Sequence, residues 1–405
     1  MPDTPTAPLS LRDPVHGFIR ADPLEAALIK SRPVQRLRFI HQLGFAFLVF
    51  PGAEHSRFSH VLGAMHLAGR VYDALCAKSD GLLPPGTRSR ERRLVRAAAL
   101  LHDVGHAPFS HSAEELFEGG IDHEEMTRRL LALPEICEVF ARHGEGLEPA
   151  DVVRLLAGGG GTTERLLAQI ISGELDVDKM DYLLRDSLYC GVRSGSYDLE
   201  RLLDTMQPIK DPETGTWGTG VDEGGVHALE ALVMARYYMF TQVYFNATGK
   251  ALELHLNEWL LENGEHWACE PEAFLRQDDV SVWTDLRRSG SLHARAVVER
   301  EHFPVAFETR EHLSREDKER FEALLPELTS RFGAGNLLLS NSAKDPHRMR
   351  SSRVLVRRLD GSLEPMEEAS HFIRHLAWID RYRVYTPPAL RATVATALRD
   401  LWGSA

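Results

Sequence analysis

The stretch LLHDVGHAPFSH, Leu100 to His111, sets three histidines and an aspartate at the end of the apolar run Ala97 to Leu101. A segment that apolar is read as a buried helix end, and imidazoles beside a carboxylate are tolerated away from water only when each finds a partner. Any fold that accepts this sequence must therefore bring other polar side chains, a metal ion or a phosphate to that helix end. Nineteen histidines, many of them before residue 125, point the same way.

Two further segments offer partners. HSRFSH, His55 to His60, opens a helix with another imidazole, and DVDKMDYLLRD, Asp176 to Asp186, supplies carboxylates within a hydrophobic helix. Neutral imidazoles with carboxylates form the mixed nitrogen and oxygen set that suits Mg, Mn, Fe, Zn or Ni. In the later helix Asp178, Tyr182 and Asp186 recur every four residues on one stripe with Lys179 alongside, while Met180, Leu183 and Leu184 take the opposite side. Asp181 and Arg185 have the spacing of an intrahelical salt bridge and are read as a solvated pair without a functional role. Arg236, Phe240 and Tyr244 share a stripe in ARYYMFTQVYF, a cation and a phenol suited to phosphate and sugar. An aromatic core helix with a snorkelling arginine fits that pattern equally well. His55 and His66 read as structural. His106 is open to fastening the turn before Pro108, and His123, in IDHEEM, to capping or a surface position.

The chain reads as mainly α, with a small α+β appendage at its C-terminal end. Helices are expected from Pro23 to Lys30, Arg57 to Lys78, Arg90 to Val104, Ile121 to Leu131, Leu147 to Leu156 and Val177 to Leu188, with one long helix from about His227 to Glu262. FAFLVFPGAEHS is expected to be extended and then to turn, and Thr162 or Thr163 to cap the helix after GGGG. Ser314 and Asp317 have nearly the spacing of a capping box. A Val-rich strand before Asp360-Gly361 and another in RYRVYTP complete the appendage, so the expected division is a helical core over 1–265 and an α+β region over 266–405 packing on it.

Composition narrows the function classes. No apolar run nears the roughly 18 residues of a membrane helix, and the N-terminal segment carries no secretion or transit pattern, so a cytoplasmic protein is expected. Four scattered cysteines argue against a disulfide framework or a thiolate metal site. The net charge of −12 disfavours a general grip on nucleic acid, although a local basic groove remains compatible with one.

The order His60, His102-Asp103, Asp178 resembles the HD superfamily of metal-dependent phosphohydrolases. The flanking segments DPVHGFI, QRLRFIHQLG, FPGAEHSRFSHVLG, LLHDVGHAPFSH, DVDKMDYLLRDS and ARYYMFTQVY are similar to its deoxynucleoside triphosphate triphosphohydrolase branch, which includes bacterial dGTPase-like enzymes and the vertebrate sterile-alpha-motif and HD-domain protein. The resemblance runs strongly from Leu11 to Leu261 and more loosely through SHFIRHL and RVYTP. It implies an HD helical core in which His60, His102, Asp103 and Asp178 bind a divalent metal, Mg, Mn or Fe, with Zn or Ni as further options. It implies His111 as the general acid for the departing 5′ oxygen, with His106 and His123 at the α-phosphate or the attacking water. Arg57, Lys179 and Arg236 would neutralise the triphosphate, Tyr182, Asp186 and Tyr244 would fix the sugar, and Gln42 with Leu43 would lie by the base and the 3′ side. The implied reaction converts a dNTP to a deoxynucleoside and tripolyphosphate in a homo-oligomer, dimer or tetramer. The alternatives are another nucleotide, a single-stranded nucleic acid end, or a non-catalytic nucleotide-binding oligomer.

Departures from the branch fall where the vertebrate member recognises its activator. Lys30 precedes QRLR where an acid stands there, the acidic, glycine-rich GVDEGGVH precedes the arginine-tyrosine stripe where basic residues stand, and Asn246 and Ala247 replace a His and a basic residue. Gln35 and Arg38 alone do not make a regulatory pocket, so nucleotide-driven activation is not carried over. The general-acid assignment generates a direct expectation. His111→Ala lowers turnover by about 100-fold or more while the metal content measured on the purified protein stays at the wild-type level.

Overall fold

The computed structural model describes residues 9–79, 81–110, 116–344, 353–377 and 379–403. The chain starts with the hairpin Leu9–Asp13 and Gly17–Ala21, paired in antiparallel register from Leu9 opposite Ala21 to Asp13 opposite Gly17. It enters the first helix, Pro23–Ile29, through a capping box. Asp22 accepts from the Glu25 amide, Glu25 accepts from the Asp22 amide, and Pro23 occupies the first turn, where its missing N–H costs nothing.

The centre of the molecule is the helix Arg57–Ala77. Val61, Ala64, Met65, Leu67, Ala68, Val71 and Leu75 have no exposed surface, so most of this helix is enclosed by its neighbours, with Asp73 and Ala77 left exposed. Helix Arg88–Leu101 packs along one side of it and helix Val177–Cys190 along another. The contact with Val177–Cys190 depends on Gly63, where a Cβ would overlap the Asp181 carboxylate and the Arg185 guanidinium. His102 caps the end of Arg88–Leu101, and the chain then leaves the helix, so residues 103–110, with His106 among them, lie on a sequence of turns in the protein interior.

Several expectations hold. Ser314 and Asp317 form the reciprocal capping box of helix Arg315–Phe332. Strands Leu355–Arg357 and Leu363–Pro365 pair antiparallel across Asp360-Gly361, with Gly361 at φ +86°. The last strand, Ile379–Tyr385, is the middle one of a three-stranded sheet, between Val305–Glu308 and Leu338–Lys344. Other expectations are corrected. Gly44–Leu48 is a 3₁₀ helix rather than an extended stretch, because Phe45 is drawn fully inside, against Phe109. Gly161, not Thr162 or Thr163, occupies the N-cap of Thr162–Ser172, and no side chain caps it. The single helix expected from His227 to Glu262 is two, Val226–Met239 and Ala247–Asn263. A π-helical turn, Phe240–Tyr244, ends the first, and Asn246 caps the second by accepting from the Thr248 and Gly249 amides. The structure adds the helix Pro134–His143 and the hairpin Met206–Lys210 with Trp217–Asp222. The second of those strands pairs in parallel with Leu355–Arg357.

One large hydrophobic core takes in residues from Ile19 to Ile373, including Phe274, Val282, Val297 and Val356. A smaller core made of Leu313, Phe321, Leu328, Tyr382, Val384, Val394 and Leu398 lies under the three-stranded sheet. Among the described residues no helix is long and apolar enough to cross a membrane.

Where helix Ala247–Asn263 meets helix Leu292–Val298, two buried imidazoles face each other, with His255 Nδ1 2.8 Å from His293 Nδ1. The Phe303 amide donates to His255 Nε2 at 3.0 Å, so Nε2 is the acceptor and Nδ1 carries the proton. Burial, and then His293, push the His255 pKa down to about 3. The unfolded chain, with an ordinary imidazole near 6.5, therefore binds more protons between these values. Stability from this site is full above pH 6.5 and is lost as the pH falls toward 3. Denaturant midpoints are expected to fall across that range, and His255→Gln to flatten the slope.

Candidate metal centre and its cavity

Three elements deliver the site. His60 lies in the first turns of Arg57–Ala77, His102 ends Arg88–Leu101, and Asp178 lies in the first turn of Val177–Cys190. His60 and His102 present Nε2 and Asp178 a carboxylate oxygen, and the donor atoms of the three lie within 4.8 Å of one another. Asp178 Oδ1 is 3.1 Å from His60 Nε2 and 3.7 Å from His102 Nε2. Neighbouring ligands of one ion with bonds near 2.1 Å stand about 3 Å apart, so the set has the dimensions of a metal site.

Each imidazole is held by its other nitrogen. His102 Nδ1 donates to the Ala99 carbonyl at 2.8 Å, and His60 Nδ1 donates to Asp181 Oδ2 at 2.8 Å. A carbonyl or carboxylate only accepts, so both Nδ1 atoms carry protons and both Nε2 lone pairs turn to the centre. Both Nε2 atoms are buried and, among the described residues, have no hydrogen-bond partner. Two orphaned imidazole nitrogens converging on a carboxylate fit a divalent ion, which would satisfy all three.

Asp181, read from sequence as half of a solvated salt bridge, is here corrected. It and Arg185 are completely buried. Arg185 donates to both Asp181 oxygens, at 2.8 and 2.9 Å, and to Asp13 at 2.8 Å, while His16 Nε2 lies 2.6 Å from Asp181 Oδ1. The available signal was its position three residues after Asp178, which turns both carboxylates toward the same neighbouring helix.

Asp103 borders the trio, 3.2 Å from His102 Nε2 through Oδ1, while Oδ2 pairs with the Arg57 guanidinium. His106 Nε2 is 3.3 Å from Asp103 Oδ1, and its ring stacks on His123 with centroids 4.2 Å apart. Gly105 makes this stacking possible, because a Cβ there would strike the backbone of His123 and Thr127. His111 lies outside the described residues.

These atoms form one wall of a cavity of about 910 Å³, lined also by Gln42, Leu43, Lys179, Tyr182, Asp186, Arg236 and Tyr244. The structure therefore brings the described candidate residues to one cavity, apart from His60, which is sealed behind it. Asp186 accepts from Tyr244 Oη at 2.8 Å, and His55 Nε2 holds its other oxygen at 2.8 Å, a supporting role that agrees with reading His55 as structural. The Lys179 ammonium is already paired with Asp176 and donates to the Gly173 carbonyl at 2.8 Å. Arg236 is buried, its guanidinium 5.4 Å from the Phe240 ring centre. The π-helical turn carries Tyr244 round to face Tyr182, centroids 6.1 Å apart.

Burial disfavours the charged His60, but Asp178 and Asp181 overcome it and push its pKa up to about 10. His102 is raised as well, where Asp103 and Asp178 outweigh burial. Asp178 and Asp103 are held well below the usual carboxylate range against burial, the first by His102 and His60, the second by His102 and Arg57. His106 is pushed down by burial and by Arg57. A divalent ion bound there would compete with protons for the imidazole nitrogens. Asp181→Asn is expected to weaken metal binding by about 10- to 100-fold in a titration, because a carboxamide is a poorer acceptor for His60. Asp181→Ala, which removes one of the two carboxylates that pair with buried Arg185, is expected to lower unfolding stability by about 3–5 kcal/mol in denaturant melts.

Comparison with known proteins agrees with this geometry. The family described as HD domain matches residues 57–186, and the one described as HD associated region matches 197–403. A crystal structure of a hypothetical protein from Aquifex aeolicus is 31% identical, covers 97% of this chain and 100% of its own, and superposes with a TM-score of 0.81. A phosphohydrolase from Bacteroides thetaiotaomicron is 25% identical over 94% of this chain and 100% of its own, with a TM-score of 0.74. Among curated relatives, uncharacterized protein YwfO of Bacillus subtilis is 40% identical over 62% of this chain and 54% of its own length. The deoxynucleoside triphosphate triphosphohydrolase SAMHD1 homolog of Dictyostelium discoideum is 28% identical over 96% of this chain and 80% of its own length. Thus this chain spans about half the length of YwfO and most of that of the Dictyostelium protein. With the donor set in place, and the two families matched over residues 57–186 and 197–403, the chain belongs to the HD-domain phosphohydrolase superfamily.

Proposed function

We propose that the protein is a metal-dependent hydrolase that cleaves a deoxynucleoside triphosphate at the α-phosphate, giving a deoxynucleoside and tripolyphosphate. The observation that carries this reading is the convergence of His60, His102 and Asp178 beside a cavity that also holds Arg57, Arg236, Tyr182 and Tyr244. A divalent ion bound there, Mg, Mn or Fe, supplies charge for the phosphoryl oxygens and lowers the pKa of a bound water. The likeness to the Dictyostelium triphosphohydrolase supports the substrate class.

In this reading His60, His102 and Asp178 hold the ion with Asp103 beside them, and Arg57, Lys179 and Arg236 set positive charge along the phosphates. Arg57 is anchored on Asp103 and on Ser110. Tyr182, Asp186 and Tyr244 bracket the sugar, and the His55 and Tyr244 contacts keep the Asp186 carboxylate facing the cavity wall. Gln42 and Leu43 flank the base. His106 and His123, stacked, present imidazole edges to the phosphate or to the attacking water, and His111 gives the leaving oxygen its proton. A homo-oligomeric assembly and a cytoplasmic location belong to the same proposal.

Incubating the protein with each of the four dNTPs and each metal is expected to release nucleoside and tripolyphosphate in equal amounts, and chelation to stop it. Release of inorganic phosphate or pyrophosphate instead, or turnover confined to NTPs or labelled oligonucleotides, transfers the site to another phosphate ester. Nucleotide binding without any product points to a non-catalytic role.

A further inference from the structure

The turn after the His-Asp pair is built in an unfavourable way. Phe109 and Ser110 both have positive φ, 56° and 65°, a region that side chains with a Cβ rarely adopt. Something must hold them there, and the holding group comes from the HD-associated region. Asp279, the first residue of helix Asp279–Arg288, is 1% exposed. Its Oδ1 accepts from the Phe109 amide at 2.7 Å, and its Oδ2 accepts from the His41 amide at 2.8 Å and lies 2.6 Å from His41 Nδ1. One carboxylate thus ties the turn to the segment before the central helix. One helical turn after Asp279, Trp283 meets the Phe109 ring edge-on at 6.1 Å, and Phe45 stacks on that ring at 4.3 Å. Arg36 closes the other end, donating to the His106 carbonyl at 2.8 Å and to the Gln277 carbonyl at 2.7 Å.

Between the two segments that Asp279 joins lies the Ser110 hydroxyl. It donates to the His41 carbonyl at 2.6 Å and accepts from Arg57 Nε at 2.9 Å. Arg57 in turn pairs with Asp103 and lines the cavity. We infer that Asp279 is a positioning residue: by fixing the Phe109–Ser110 turn against His41 it sets Ser110, and through Ser110 it aims the Arg57 guanidinium at Asp103 and the cavity. The HD-associated region thereby completes an HD site that residues 57–186 do not complete alone. The kinetic part of the inference rests on the hydrolase reading, whereas the geometric part does not.

The test uses the full chain and the variants Asp279→Ala, Ser110→Gly, Arg57→Ala and Asp279→Ala with Arg57→Ala. Glycine adopts positive φ at no steric cost, so Ser110→Gly is expected to unfold no earlier than wild type while it loses the hydroxyl relay. Ser110→Gly and Asp279→Ala are each expected to lower kcat/KM for dNTP hydrolysis by about 10- to 100-fold, with metal affinity unchanged. The double variant is expected to be no worse than Arg57→Ala, because both changes remove one effect. Losses that multiply in the double variant, or full turnover by Ser110→Gly, overturn the inference. If wild type hydrolyses no phosphate ester, the hydrolase reading alone fails, and the Arg57 Nε–H signal in ¹H–¹⁵N spectra decides. Slow exchange in wild type that is lost in Asp279→Ala and in Ser110→Gly supports the inference, and slow exchange that survives in both overturns it.

Discussion

A single buried carboxylate organises this protein. Asp181 has no exposed surface, yet it receives His60 Nδ1, His16 Nε2 and two N–H groups of Arg185. These partners come from the N-terminal hairpin region, the central helix and its own helix, so the three elements cannot shift past one another without exposing unpaired charge. Arg185 extends the network to Asp13, which accepts the Val15 and His16 amides and so shapes the hairpin turn. Desolvating these groups is costly, and a buried ion pair of this kind is weak evidence of stability gained. Its value here is orientation, because it fixes which nitrogen of His60 faces the metal centre.

Close approach of backbones makes that network possible. Gly63 lets the central helix lie against Asp181 and Arg185, and Gly105 lets the turn after His102-Asp103 lie against the start of helix His123–Leu131. Thr127 seals the second contact, accepting from the Gly105 amide at 3.1 Å and donating to the His102 carbonyl at 3.2 Å. His106 and His123 stack as a consequence, in a position that neither residue's immediate neighbours dictate. The left-handed turn at Phe109 and Ser110 works differently. There the backbone adopts a conformation that costs about 1–2 kcal/mol per residue, and hydrogen bonds and aromatic packing from distant segments hold it.

The division between the two matched regions therefore differs from the division of labour in the molecule. Residues 57–186 contribute the metal trio, Asp103, Arg57 and the stacked histidines, while residues from 197 onward contribute Arg236 and Tyr244 to the cavity and Asp279 to the turn. The π-helical turn at Phe240–Tyr244 is part of this second contribution, since it rotates Tyr244 onto Asp186. A continuous core across both regions, from Ile19 to Ile373, keeps the two sets of side chains in register.

Much of this was legible in the chain itself. Periodicity gave the helical character of the core, and Ser314 with Asp317 and Asp360-Gly361 gave local boundaries, because those signals depend on residues close in sequence, while the resemblance to the HD superfamily, carried by six ordered motifs, implied His60, His102, Asp103 and Asp178 and the cavity residues. What the sequence could not carry was burial and partner choice. Asp181 and Arg185 have the spacing of a surface pair, and only the neighbouring helix, admitted by Gly63, makes them a sealed support for His60. The break near Asn246 is hidden in a run that reads as one helix, and Asp279 lies 170 residues from the Phe109 amide it holds. By itself, then, the sequence determined which groups are available to do chemistry. Only the tertiary structure decided which of their atoms face the site, because orientation is set by hydrogen bonds between segments far apart in the chain.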